Sequence, residues 1–265
     1  MKQYIIGSLS LVLIFVLYLG ISYRQHQINP KDTSIPNVKQ LYEGIIKVTT
    51  KNEFGKILII EDGFASLKRL FLGLFFGIIS AWAIGILMGY YSLIEYSLIW
   101  PIKFLGSIPP TAMLAIYFVI FGIDIKMHIA MIAIGIFPSL TLSIYYAVKN
   151  DVSEHLIDKA YTLGADQLEI IFNIIINQIL PKIIEFIRIS IGPALIFLIA
   201  AEWNNASVGF GFRLKIESRL TEMNVVYIYL IILACLSFLI DFCLVRMRNY
   251  FCKYINKEVL INVKS

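Results

Sequence analysis

Long apolar runs alternate along this chain with short polar stretches, and the runs predict helices of membrane-spanning length. The first covers Ile5–Tyr23 behind Lys2. No small-residue cleavage site follows it, so it reads as a retained helix rather than a signal peptide. The second, Leu70–Ile94, holds no charged residue. At 1.5 Å per residue it exceeds a hydrocarbon core of roughly 30 Å. The third region, IEYSLIWPIKFLGSIPPTAMLAIYFVIFG, contains Pro101, Pro109 and Pro110. Each proline removes a backbone donor and disfavours a straight helix, so this region predicts a broken or kinked span, either bent for packing or bordering a translocation path. His128–Val148 contains Pro138, a fifth run starts near Pro181 and ends near Ala201, and a sixth covers Val225–Val245. The pattern therefore predicts an all-α chain with six spans.

Shorter signals lie within and between the runs. Gly73, Gly77, Ala81, Gly85 and Gly89 are spaced by four, which places small residues on one helix face and lets another helix approach closely. Val38, Leu41, Ile45 and Val48 recur at helical spacing in an otherwise polar segment, predicting an amphipathic helix on the membrane interface or on the protein. The polar stretch Lys149–Glu169 offers two capping boxes, Asp151 with Glu154 and Asp166 with Glu169. Gly164 stands between them, where a chain leaving a helix often turns left-handed. This predicts a short helix from about Val152 to Leu163, a glycine turn, and a second helix. The short helix is too polar to lie in lipid. It is either a docking knob or a solvated loop.

Composition narrows the class. The chain is 58% apolar and 15% charged, with a mean hydropathy of +0.78. An ordinary soluble domain carries about 25% charge, so a soluble enzyme is excluded, and so is disorder. Cys235, Cys243 and Cys252 cannot staple a secreted fold. The net charge of +5 comes from scattered residues, and no nucleic-acid partner is expected. There is no G-x-x-x-x-G-K loop and no H-E-x-x-H, and His26, His128 and His155 are dispersed, so neither a metal site nor catalysis is expected in this chain. Arg188 lies one turn from Glu185, which follows Lys182 by three. The group reads as an interfacial charge ladder or as a cation lining a path. Glu202 either orders a loop or meets substrate, and Asp241 is expected to pair with Arg246 or Lys182. Trp203 reads as an interface anchor. With both termini inside, the outside would hold more basic residues than the inside, so charge alone leaves the orientation open.

DKAYTLGADQLEIIFNIIINQILP resembles the signature loop of permease subunits of bacterial ATP-binding-cassette importers. Asp158, Lys159 and Ala160 stand at the family's Glu-Ala-Ala positions. Gly164 matches its glycine, Ile174 falls after nine further residues, and Pro181 matches a second proline of one branch. Asp158 replaces Glu, Lys159 replaces Ala, and Asn177 stands where a first Pro is usual. SLKRLFLGLFFGIISAWAIGILMGY, PIKFLGSIPPTAMLAIYFVIFGI and IAAEWNNASVGFGFRL resemble, in order, further stretches of the branch importing nitrate, sulfonates and taurine. The resemblance covers residues 63–246.

It implies a type I importer permease fold with three parts: residues 1–62 as a first span plus an external segment, 63–246 as the core, and 247–265 as a basic cytoplasmic tail. The loop 149–175 would couple to a cytoplasmic ATPase through Glu154, Ile157, Asp158, Ala160, Leu163, Gly164 and Ala165. ATP and Mg would bind that ATPase, with no cofactor in this chain. An extracytoplasmic binding protein and a second permease copy are the other implied partners, in a bacterial cell membrane with both termini cytoplasmic. Pro109, Pro110, Arg188 and Glu202 are the candidates for the path or its gate. The cargo would be a small molecule of the nitrate, sulfonate, taurine or vitamin-precursor kind. The rival readings are an ion-coupled secondary transporter and a structural membrane subunit. The first would usually show more spans or an internal repeat.

Overall fold

A computed structural model describes residues 2–30, 32–51 and 55–251, with only the backbone described for 2–11, 14, 15 and 251. The tail beyond residue 251, with Cys252 and its lysines, lies outside the described residues. The elements are α1 (Lys2–Ile28), α2 (Val38–Thr49), α3 (Leu58–Tyr90), α4 (Ser92–Ser107), a 3-10 turn (Pro110–Met113), α5 (Leu114–Phe121), α6 (Ile125–Asp151) and α7 (Glu154–Thr162). Then follow α8 (Gln167–Asn205), α9 (Phe210–Arg219) and α10 (Met223–Phe251). Among the described residues there is no strand, only an isolated bridge between Lys51 and Ile57.

Among the described residues, four helices are long and apolar enough to cross a membrane: α3, α6, α8 and α10. A fifth span arises if α4 and the Pro110–Phe121 segment count together, bent by 86°. The remaining expected span, the first run, falls on α1, where the side chains of residues 2–11 lie outside the described residues. The bend sits at Ile108–Pro109, and Pro101 lies inside an unbroken α4. The prolines thus divide their work: the adjacent pair breaks the helix, whereas the single one costs a donor that the surrounding turns absorb. The fifth run begins earlier than expected, since α8 starts at Gln167 and carries Pro181 and Pro193 in its interior. A π-helical stretch at Ile170–Ile175 lets the helix pass from the polar loop into the apolar run without stopping.

The chain divides into two compact units, residues 1–65 with 206–234, and residues 66–205 with 235–265. In the first, the segment after α1 folds back on that helix. Tyr18 Oη donates to the Pro36 carbonyl at 2.6 Å, Ser22 Oγ reaches the Ile35 and Pro36 carbonyls at 3.2 Å, and His26 Nε2 meets Gln40 Oε1 at 3.1 Å. Asn37 and Gln40 close a reciprocal capping box on α2. The buried face of α2 is Gly44 with Val48, not the whole expected stripe, because Val38 and Ile45 are exposed. Gly44 is what permits the contact. A Cβ there would lie 2.8 Å from the Asn224 carbonyl oxygen.

The second unit is organised by the small-residue stripe of α3. A Cβ on Gly73 would lie 2.6 Å from Ile132, on Gly77 2.8 Å from Ile136 and on Gly85 2.9 Å from Ile144, and on Gly89 it would come closest of all, to Val148. Residue numbers rise together on both helices, so α3 and α6 pack in parallel with a constant offset. Ala81 and Leu140 continue the register in one buried cluster. Backbones this close gain dispersion contacts that larger side chains would forbid.

Candidate functional site: a helix-glycine-helix loop and the charges around it

The polar loop forms where α6 ends. Asp151 is the last residue of α6 and pairs with Lys182 rather than capping α7. The N-cap of α7 is Ser153, with no side-chain hydrogen bond, so the first expected capping box is absent. The second is present: the Asp166 side chain accepts from the Glu169 amide, and Glu169 accepts from the Asp166 amide at 3.1 Å. Between them Gly164 takes φ +85°, and nothing lies within 4 Å of a Cβ placed there. The requirement for glycine is therefore conformational rather than steric. The Ala165 amide bonds back to the Ala160 carbonyl at 3.0 Å and closes the helix end.

Two faces result. Val152 and Ala160 are buried, and Ile157 and Ala165 pack with them on the cluster formed by Ala147, Val148, Ile170 and Ile171. The other face leaves Glu154, Asp158 and Lys159 exposed, with Leu163 78% and Leu168 60% exposed. Exposed leucines beside acidic and basic groups on a seated helix form a surface suited to a protein groove. Several polar ties hold this seat. Tyr90 and Tyr161 share a hydroxyl–hydroxyl hydrogen bond, and Tyr91 Oη donates to Gln167 Oε1 at 3.0 Å. Glu95 accepts from Tyr145 Oη at 2.6 Å and from Lys149 Nζ at 2.7 Å.

The other expected residues fall elsewhere. Glu202 is fully buried and accepts from Ser66 Oγ at 2.8 and 2.9 Å and from Arg69 at 2.7 Å. A carboxylate at that depth requires such partners. Arg188 is bound between Asp241 and Glu185, and Glu185 also receives Arg248 at 2.7 Å. Asp241 therefore pairs with Arg188, not with Arg246 or Lys182, because α8 and α10 bring Arg188 nearer than either. Pro110 lines a cavity of about 160 Å³ at the bend, with Gly106, Ile108, Tyr117, Pro138 and Phe197, and Pro109 lies at the break itself. Trp203 is 40% exposed.

Sequence reading missed Asp62. It is fully buried and accepts from the Gly209 amide at 3.0 Å, Arg213 Nε at 2.9 Å and Tyr229 Oη at 2.6 Å. Burial works against the Arg213 charge, but Asp62 outweighs it and holds the guanidinium pKa above its ordinary value. Ser66, Tyr90, Tyr91 and Glu95 were missed as well. Among the described residues no group of acids, histidines or cysteines is arranged to hold a metal ion.

Residues 63–253 match the family described as the binding-protein-dependent transport system inner membrane component. A probable ABC transporter permease protein of Brucella melitensis is 32% identical over 69% of this chain and 74% of its own length. The taurine transport system permease protein TauC of Escherichia coli is 28% identical over 78% of this chain and 75% of its own. A putative aliphatic sulfonates transport permease protein of Bacillus subtilis is 28% identical over 66% and 63%. In fold, the chain is similar to one of the MetNI methionine ABC transporter in an inward-facing conformation. The TM-score is 0.65 at 20% identity, covering 76% of this chain and 99% of that one. The helical architecture is the type I importer permease fold, and the match over most of the chain makes this protein a member of the binding-protein-dependent transport system inner membrane component family, a multi-pass membrane permease.

Proposed function

We propose that this permease couples ATP hydrolysis on a separate cytoplasmic ATPase to uptake of a small sulfonate-like molecule. The observation that carries the reading is the α7–Gly164–α8 loop. Its apolar face is seated on the bundle while Glu154, Asp158, Lys159 and Leu163 stay outside. A helix held this way is a rigid handle that a partner's groove can grip. Glu154, Ile157, Asp158, Ala160, Leu163, Gly164 and Ala165 form the handle, and ATP with Mg binds the ATPase. The handle is cytoplasmic in this reading. With α1 and the bent pair each counted as a span, six crossings put both termini on the same side. A second permease copy and an extracytoplasmic binding protein complete the assembly, and the bend at Pro109 and Pro110 borders the path. The taurine and aliphatic-sulfonate relatives support the cargo class.

The mechanism is a population shift. The paired permeases exchange between inward-open and outward-open states separated by a few kcal/mol, and ATP binding closes the ATPases and draws the handles together. The test is a mild-detergent pull-down of the tagged chain from its native membrane, beside a D158R/G164W variant. Recovery of an ATPase by the parent and not by the folded variant is expected. If the parent recovers no ATPase, the reading fails.

A further inference from the structure

The corner between α3 and α4 touches the handle at more points than covalent connectivity requires. Tyr90 ends α3, Tyr91 is the link, and Ser92 begins α4. Tyr90 bonds to Tyr161 on the handle, and Tyr91 to Gln167 just past its glycine turn. One turn into α4, Glu95 takes Tyr145 and Lys149 from the last turns of α6, directly before the handle. The handle's entry, body and exit are thus each tied to the same corner. Both tyrosine rings also pack against the cluster that seats α7, and they stack edge-to-face on one another at 4.7 Å. Beyond the corner, α4 runs to the 86° bend and its cavity.

We propose that Tyr90, Tyr91 and Glu95 are positioning residues that make the α3–α4 corner move with the handle, carrying its displacement along α4 to the bend. This rests on the handle reading above. Covalently the handle is joined to α6 and α8, and those helices receive the displacement directly. The bent pair has no covalent link to the handle. It is instead tied by hydroxyl and carboxylate contacts, which transmit position without filling the groove-facing surface.

The test uses the whole importer, copurified with its ATPase and reconstituted in liposomes with its binding protein. Y90F/Y91F removes both hydroxyls and leaves both rings packed. The variant is expected to capture the parent amount of ATPase and to lose at least fivefold in the stimulation of ATP hydrolysis by loaded binding protein. Adding E95Q is expected to deepen that loss. A parent-level stimulation in Y90F/Y91F/E95Q overturns the proposal. A second measurement does not depend on deletion. In a background without the native cysteines, Y91C/Q167C is bridged by a bifunctional methanethiosulfonate whose spacer spans the space of the two lost side chains, through disulfides that a reductant cleaves, to lock corner to handle. Uptake at half the reduced level or above is expected, because the two move together, and arrest of uptake that a reductant reverses overturns the proposal. Failure of the handle reading looks different: the parent itself then captures no ATPase.

Discussion

The two ends of α3 hold their charges in opposite ways. At the Ser66 end, Glu202 is fully buried and the side chain of Arg69 is only 13% exposed. At the Tyr90 end, the Lys149 side chain is 45% exposed beside Glu95, and Lys182 is 51% exposed beside Asp151. Breaking a buried pair strands a charge at a cost of about 3–5 kcal/mol, whereas an exposed pair contributes about 0–1 kcal/mol. The first end is therefore the costly one to break. The pairs at the second end contribute little to the stability of the fold, and what they supply is the position of one element against another.

The largest effect is expected from Glu202→Ala, which leaves Arg69 beside an emptied site. A loss of about 3 kcal/mol of stability is expected, read as a clear drop in the unfolding temperature in detergent. An unchanged transition would remove the contrast altogether. Next comes Gly89→Val, whose new side chain meets Val148 at the tightest point of the α3–α6 seam. Overpacking there is expected to cost about 1–3 kcal/mol. Gly192→Ala is the control, with nothing within 4 Å of the added Cβ, and should be neutral or slightly stabilising. If both glycines respond alike, the seam is not close-packed. Gly164→Val comes third, with a conformational cost of about 1–2 kcal/mol and a larger fall in transport than in stability. Comparable falls would make the glycine merely structural. The smallest effect belongs to Lys149→Met, expected to cost under about 1 kcal/mol. A larger loss in thermal unfolding would mean that the Tyr90 end is as rigid as the other.

The stripe of small residues and the glycine turn were legible in the sequence because both obey local rules, a spacing of four and a left-handed helix end. The Asp166–Glu169 cap was legible for the same reason. The Asp151–Glu154 cap was not there because α6 runs one turn further than its apolar stretch, and Lys182 claims the carboxylate. Asp62 with Arg213, Glu202 with Arg69 and Asp241 with Arg188 join residues far apart in the chain. Nothing local marks such partners, and each is chosen by how the helices pack. The same holds for the tyrosines of the α3–α4 corner, whose partners Tyr161 and Gln167 lie far along the chain.

The most direct test of ATP coupling through the handle is uptake into proteoliposomes holding the copurified complex, with taurine as the first probe and the binding protein supplied on the opposite side from the handle. Accumulation is expected to need ATP on the handle's side, to ignore imposed ion gradients, and to fall at least tenfold in Gly164→Val at equal protein. Accumulation driven by an ion gradient without ATP would contradict that coupling and make the chain a secondary transporter.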